Sequence, residues 1–191
     1  MMKKLLYSIG VGIAMWILAS CSHEVKIAVR SEEPSPLMEE YADIIIPSNI
    51  APINFFVEAE DGLEGLVLTL DNRTLTVVSK DGALIPDLAA WKDLMAEAKG
   101  KAIKVEHCTQ SNEEWKAYKS FEIKVAEEEI DPYLAYRLIP PGYENWNEMG
   151  IYQRNLENFE ETAILNNTQT DRNCMNCHSF CMQNPEQMQL H

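Results

Sequence analysis

The middle of the chain, residues 44–125, alternates between apolar and polar residues in short runs that turn residues separate. A period of two along the chain is typical of strands that bury one face of a sheet. The first clear strand is predicted at residues 53–57, and turns are predicted at residues 71–72, 80–82 and 111–114. The shared faces of the later strands are Leu66, Leu68 and Leu70; Leu75 and Val77; Ile103, Val105 and His107; and Phe121, Ile123 and Val125.

One helical pattern interrupts these strands. Asp87 is the predicted N-cap because its carboxylate can accept the first free amides, and Gly100 is the predicted stop. The apolar stripe between them is formed by Leu88, Trp91, Met95 and Ala98.

Several strands at this spacing with one helix predict a mainly β fold, a small immunoglobulin-like β-sandwich over residues 42–126. Trp91 and His107 are predicted to be core residues. Neither a catalytic triad, nor a glycine-rich phosphate loop, nor a carboxylate pair stands out in this region. We therefore interpret the domain as a packing or interaction module, rather than as an enzyme.

Residues 1–20 have the pattern of a signal peptide. Two lysines precede an apolar stretch, residues 5–18, which is shorter than the ~20 residues of a membrane-spanning helix. Residues 18–21, Leu-Ala-Ser-Cys, look like the lipobox of bacterial lipoproteins, in which the signal is cut before the cysteine and the thiol is acylated. Cys21 is therefore a candidate lipid anchor. The alternative is an ordinary secretory signal with a coincidental cysteine.

Residues 21–41 are rich in proline, serine and acidic residues, and we predict a flexible tether there. A lipid-anchored chain with such a tether would lie on the cell envelope. The acidic sorting residues that often follow the lipid cysteine of surface-exported lipoproteins are absent, which favours a periplasm-facing orientation. We expect the protein to be anchored in the outer membrane.

The chain has 191 residues and a formal net charge of −14. This length is typical of one ordinary domain, or of a small domain with a tail. A chain this acidic repels phosphate backbones, so we do not expect nucleic-acid binding. Five cysteines are too few for a disulfide scaffold of this length, and their placement matters more than their number.

Residues 127–191 are predicted to be irregular, because prolines and a glutamate run break any long element. They contain Cys174-Met175-Asn176-Cys177-His178, a Cys-x-x-Cys-His motif. Two thiols at this spacing can form thioethers with the vinyl groups of haem, and the adjacent imidazole can bind the iron. Random placement of these cysteines and histidines would produce the motif only ~0.003 times.

Other chemistry is compatible with the same residues. Cys174 and Cys177 could form a redox or structural disulfide in an exported protein. Together with His178 and Cys181 they could instead form a Cys₃His zinc site, although four ligands within eight residues rarely close a tetrahedron well.

Only thirteen residues follow His178, so a bound haem is expected to be partly exposed. The candidates for the sixth iron ligand are Met182, Met188 and His191. Free thiols at Cys108 or Cys181 could pair with other chains if they are accessible.

The sequence resembles a family of Bacteroidetes lipoproteins described as TolB-like or cytochrome-c-related. The resemblance covers residues 40–191, and its most specific parts are Trp-Asn-Glu-Met-Gly-Ile-Tyr at 146–152 and Cys-Met-Asn-Cys-His-Ser-Phe at 174–180. It implies an N-terminal β domain, a lipid on Cys21, a haem on the 174–178 motif and a long β-propeller afterwards. The sequence ends at His191, before any propeller blade, so we expect a truncated gene or a fragment.

The sequence therefore predicts a periplasm-facing lipoprotein that binds a covalent c-type haem and acts in electron transfer or haem-linked sensing. Envelope redox or transport proteins are its expected partners, and the lipid on Cys21 is expected to attach it to the membrane. The main alternative is a non-catalytic TolB-like envelope scaffold in which Cys174 and Cys177 are structural. A thiol–disulfide oxidoreductase is less favoured, since no thioredoxin-like βαβ pattern precedes the motif.

Overall fold

A computed structural model describes residues 25–59, 62–139, 149–173, 175, 178–184 and 186–190. Strands make up 49% of the described residues, so the mainly β prediction is confirmed. In chain order the strands are β1 (Ile27–Pro34), β2 (Ile45–Ile46), β3 (Phe55–Phe56), β4 (Leu63–Leu70), β5 (Arg73–Ser79), β6 (Ala83–Leu84), β7 (Ala102–Ser111), β8 (Glu114–Lys119), β9 (Phe121–Val125), β10 (Tyr133–Leu138), β11 (Gly150–Asn155), β12 (Glu161–Asn166), β13 (His178–Phe180) and β14 (Met188–Leu190). The α-helices are α1 (Met38–Tyr41) and α2 (Leu88–Ala98).

Seven strands form one mixed sheet, which we call the main sheet. Its path is β1-β8-β7-β4-β5, with β9 also paired to β7, and β2 paired to β9. β1 and β2 run parallel to their partners, and the other pairs are antiparallel. Because these strands belong to one sheet, the β-sandwich part of the prediction is not confirmed.

The core lies between α2 and one face of the main sheet, where the predicted apolar stripes meet. Trp91 of α2 is 1% exposed, and its indole nitrogen donates a 2.9 Å hydrogen bond to the carbonyl of Ile50. Asp87 caps α2 by accepting hydrogen bonds from two backbone amides, and Gly100 adopts φ 71° just beyond its end, as predicted.

The hairpin turns also agree with the sequence. Leu70 pairs with Arg73 across the predicted turn at residues 71–72. The turn between β7 and β8 uses left-handed φ angles of 51° at Asn112 and 69° at Glu113. The predicted strand at residues 53–57 is shorter in the structure, where only Phe55 and Phe56 form a strand, β3, which pairs with β6.

The predicted tether at residues 21–41 is wrong for its described part. β1 pairs with β8 at the edge of the main sheet, and Leu37 is only 1% exposed in the core. An edge strand needs few apolar residues, because its backbone pairs on one side while its polar side chains stay in water. Glu33 also forms a 2.8 Å ion pair with Lys116 of β8. We therefore define the β domain as residues 25–126.

The prediction of an irregular segment at residues 127–191 is also corrected. β10, β11 and β12 form an antiparallel three-stranded sheet, and β13 and β14 form a short hairpin. We call the described part of residues 127–190 the C-terminal module. Its sheet alternates weakly in hydrophobicity, and a register shift between Ile151 and Tyr152 interrupts the period of two.

Within the described ranges, no helix has the length and apolar character needed to cross a bilayer.

Candidate functional site: the His178 cavity

The structure describes only part of the Cys-x-x-Cys-His motif. Cys174 and Cys177 lie outside the described residues, as do the predicted lipid-anchor residue Cys21 and the candidate ligand His191. Of the motif, only Met175 and His178 are described.

Met175, between the two cysteines, is held within the C-terminal module. Its side chain is buried at 6% exposure, and its backbone amide donates to the sulfur of Met149 over 3.4 Å. The carbonyl of Met149 in turn accepts a 3.1 Å hydrogen bond from the amide of Asn167, a buried residue of the turn after β12. Met175 is therefore attached to the residue just before β11, which also binds the turn after β12.

A cavity of about 630 Å³ lies beside His178. One wall comes from the start of β10 and the residues before it, and another comes from the β13 strand that His178 begins. The lining combines apolar and aromatic side chains with a few polar groups, which is typical of ligand and cofactor sites. It consists of Asp131, Pro132, Tyr133, Leu134, Ala135, Gln153, His178 and Phe180.

His178 is half-buried, and its Nδ1 atom has no hydrogen-bond partner among the described residues. A buried polar atom without a partner is costly and calls for an explanation, such as a bound water, an ion or a catalytic or redox role. The Phe180 ring lies edge-on to the imidazole at 6.5 Å between ring centroids. An imidazole held against an aromatic ring beside a cavity is suited to binding a metal centre.

Two of the candidates for the sixth iron ligand, Met182 and Met188, are described and lie in different environments. Met182 is 96% exposed, and its backbone adopts φ 50° in a tight turn. Met188 is half-buried and pairs with Phe180 across the β13–β14 hairpin. Because residues opposite each other and residues two apart share a face, Met188 lies on the same face of the hairpin as His178.

The two remaining described cysteines are in contrasting environments. Cys108 is fully buried in the main sheet, and burial raises the pKa of its thiol to about 12. It is therefore not an accessible pairing thiol, whereas Cys181 is exposed. In the part of the chain that the structure describes, no group of three or more His, Cys, Asp and Glu side chains is arranged to hold a metal ion.

A second polar cluster, which the sequence did not indicate, surrounds His107 in the β domain. His107 is 2% exposed, as expected for a core residue, and its Nε2 lies 2.9 Å from Glu64 Oε2. Its Nδ1 lies 3.1 Å from the hydroxyl of Ser35, and its ring stacks on Tyr118. Since Glu64 as a carboxylate only accepts, Nε2 carries the proton, and Ser35 donates to Nδ1.

We interpret this serine–histidine–glutamate arrangement as structural, because it connects strands of the β domain to one another. The Ser35 hydroxyl also accepts the amide of Leu37 at 3.1 Å, and the serine is 4% exposed. Ser35 does not line the cavity of about 290 Å³ that borders Glu64 and His107. The cluster thus fastens the end of β1 to β4 and β7. No period or motif marks it, because its members are 29 to 72 residues apart (35 to 64, and 35 to 107).

Comparison of the chain with family models, curated proteins and solved structures finds no match.

Proposed function

We propose that this protein is a lipid-anchored envelope protein that binds a c-type haem and transfers electrons. The observation that carries the proposal is the His178 imidazole, which belongs to a Cys-x-x-Cys-His motif and borders a cavity of about 630 Å³. One of its nitrogens has no hydrogen-bond partner among the described residues. Haem supplies one-electron chemistry, while the protein supplies binding, orientation and the surrounding dielectric.

The residues present fit such a group. The cavity volume falls within the roughly 300–1,000 Å³ of sites for small molecules and cofactors. Cys174 and Cys177 would attach the haem by thioethers, and His178 would bind the iron. Tyr133, Leu134 and Phe180 would exclude water from part of the site, and such a hydrophobic shell helps to set a redox potential.

The cavity is open on one side, since Tyr133 and Leu134 are 54% and 51% exposed. A haem held there would be accessible to external ligands and to a redox partner. We therefore expect imidazole and carbon monoxide to bind readily, and we expect an envelope redox or transport protein to be the partner. Cys21 would hold the protein at the membrane.

The experiment compares full-length proteins expressed in a host that matures c-type cytochromes. Wild type should carry one covalent haem, seen by peroxidase staining of the denatured protein and by intact mass. The double variant Cys174→Ala/Cys177→Ala should carry none. His178→Ala should keep attached haem but show an altered Soret band, because it removes only the iron ligand.

Cys181→Ala is the matched control, because Cys181 follows the motif closely and is exposed. Haem attachment should be unchanged in this variant, whereas a Cys₃His zinc site would lose its metal. If wild type instead contains a Cys174–Cys177 disulfide and no haem, the envelope scaffold replaces the cytochrome as the proposed function.

A further inference from the structure

The side chain of Asn49, in the loop after β2, joins the β domain to the C-terminal module. Its amide nitrogen donates to the carbonyl of Ile130 and to Glu157 Oε1, both at 2.9 Å. Its amide oxygen accepts the backbone N–H of Ile130 at 3.0 Å. One asparagine thus satisfies both backbone polar groups of Ile130 and a carboxylate of the C-terminal module.

The bonded backbone leads directly into the wall of the His178 cavity. Asp131 and Pro132 follow Ile130 and line that cavity. A parallel connection reaches the same wall, since the amide of Ala51 donates to the carbonyl of Leu156, and the amide of Leu156 donates to the carbonyl of Pro132, both at 2.7 Å. The loop after β2 therefore holds the start of β10 at two points.

We propose that Asn49 is a positioning residue for the His178 cavity, holding the wall formed by residues 131–135 in place through Ile130. The effect on haem rests on the proposed function, but the effect on the wall does not. Asparagine suits this role because it offers a donor and an acceptor at once. Aspartate would keep the acceptor, lose both donated bonds and bring a second carboxylate against Glu157.

The first experiment measures amide hydrogen exchange in the full chain without haem. Asn49→Ala should speed exchange at Ile130 and at residues 133–135 about tenfold, because it removes hydrogen bonds worth about 1 kcal/mol each. Amides of β4 and β7 should keep wild-type rates. Asn54→Ala, the same substitution at an exposed asparagine a few residues on, should change none of these rates.

The second experiment uses haem-loaded protein. Asn49→Ala should change the Kd of imidazole for the haem about threefold or more and shift the Soret band. The β domain should unfold at the same temperature in Asn49→Ala and in Asn54→Ala. Asn49→Asp should behave like Asn49→Ala.

The outcomes separate the two proposals. Unchanged exchange at residues 130–135 in Asn49→Ala would overturn the inference, and so would unchanged imidazole affinity and Soret position in the loaded variant. Absence of haem from wild type would overturn the proposed function, and the positioning role would then be decided by hydrogen exchange alone.

Discussion

The β domain and the C-terminal module bury their apolar side chains to very different degrees. The β domain encloses a core of seventeen buried apolar residues between α2 and the main sheet. In the described part of the C-terminal module the buried apolar side chains are Met149, Ile151 and Met175. Its cavity wall leaves Tyr133 and Leu134 more than half exposed. Among the described residues, the β domain therefore has an enclosed apolar core, whereas the C-terminal module leaves more of its apolar side chains exposed.

The largest expected difference between the regions is in thiol reactivity. In a chain carrying Cys21→Ala, Cys174→Ala and Cys177→Ala, only Cys108 and Cys181 remain of the five cysteines. Cys108 is buried with a pKa of about 12, so it should react with a disulfide reagent near neutral pH at least about a thousandfold more slowly than exposed Cys181. One thiol should titrate in native protein and two in urea. Two fast-reacting thiols in native protein would show that the main sheet opens.

Two leucines allow the packing of the β domain to be compared with that of the C-terminal module. Leu94 on α2 is fully buried, and Leu134 on β10 is 51% exposed. Leu94→Ala should lower the free energy of unfolding by about 2–5 kcal/mol, and Leu134→Ala should change it by less than about 0.5 kcal/mol. Urea denaturation followed by circular dichroism measures both. Similar losses in the two variants would contradict the contrast between a closed core and an open wall.

The next prediction concerns the boundary of the β domain. Residues 25–126 should unfold cooperatively without the C-terminal module, because their core is enclosed. A chain of residues 42–126 lacks β1, the buried Leu37 and the Ser35 partner of His107, so it should be less stable by at least about 2 kcal/mol. Equal melting of the two chains would mean that β1 is only loosely attached.

The smallest expected effect is a pH dependence in the β domain. Burial lowers the pKa of His107 below its usual value of 6.5, against the opposing influence of Glu64. The folded state then binds fewer protons than the unfolded state, so stability is fully present above about pH 6.5 and declines as the pH falls below it. The slope should be at most about 1.4 kcal/mol per pH unit, and His107→Gln should reduce it. An unchanged slope in this variant would assign the effect to other groups.

The two regions also differ in how far the sequence predicted them. β5, α2 and their turns follow local rules, namely alternation for Leu75 and Val77, capping by Asp87 and left-handed freedom at Gly100. β1 was missed because an edge strand keeps polar side chains such as Glu33, so its composition resembles a tether. Its attachment depends on Ser35 and Glu64, whose proximity to His107 arises only from the folded chain.

For the candidate site, the Cys-x-x-Cys-His spacing drew attention to His178, and its haem chemistry stays a prediction, but the residues around it could not be predicted. The cavity combines residues 131–135 with Gln153 and Phe180, which sheet pairing and chain reversal bring together. The burial of Met175 could not be predicted from the sequence, because this apolar residue between two cysteines belongs to no periodic pattern of a helix or strand. Asn49 is one polar residue in a loop, and its role follows from the position of Ile130, 81 residues away.

The most direct test of the account is the intact mass of the full chain after expression with and without c-type cytochrome maturation. With maturation, the wild-type mass should increase by one haem that survives denaturation, and proteolysis should map it to the peptide containing Cys174 and Cys177. Without maturation, the increase should be absent. A mass lower by two hydrogens under both conditions, from a Cys174–Cys177 disulfide and no haem, would contradict the claim that His178 and its cavity form a haem site.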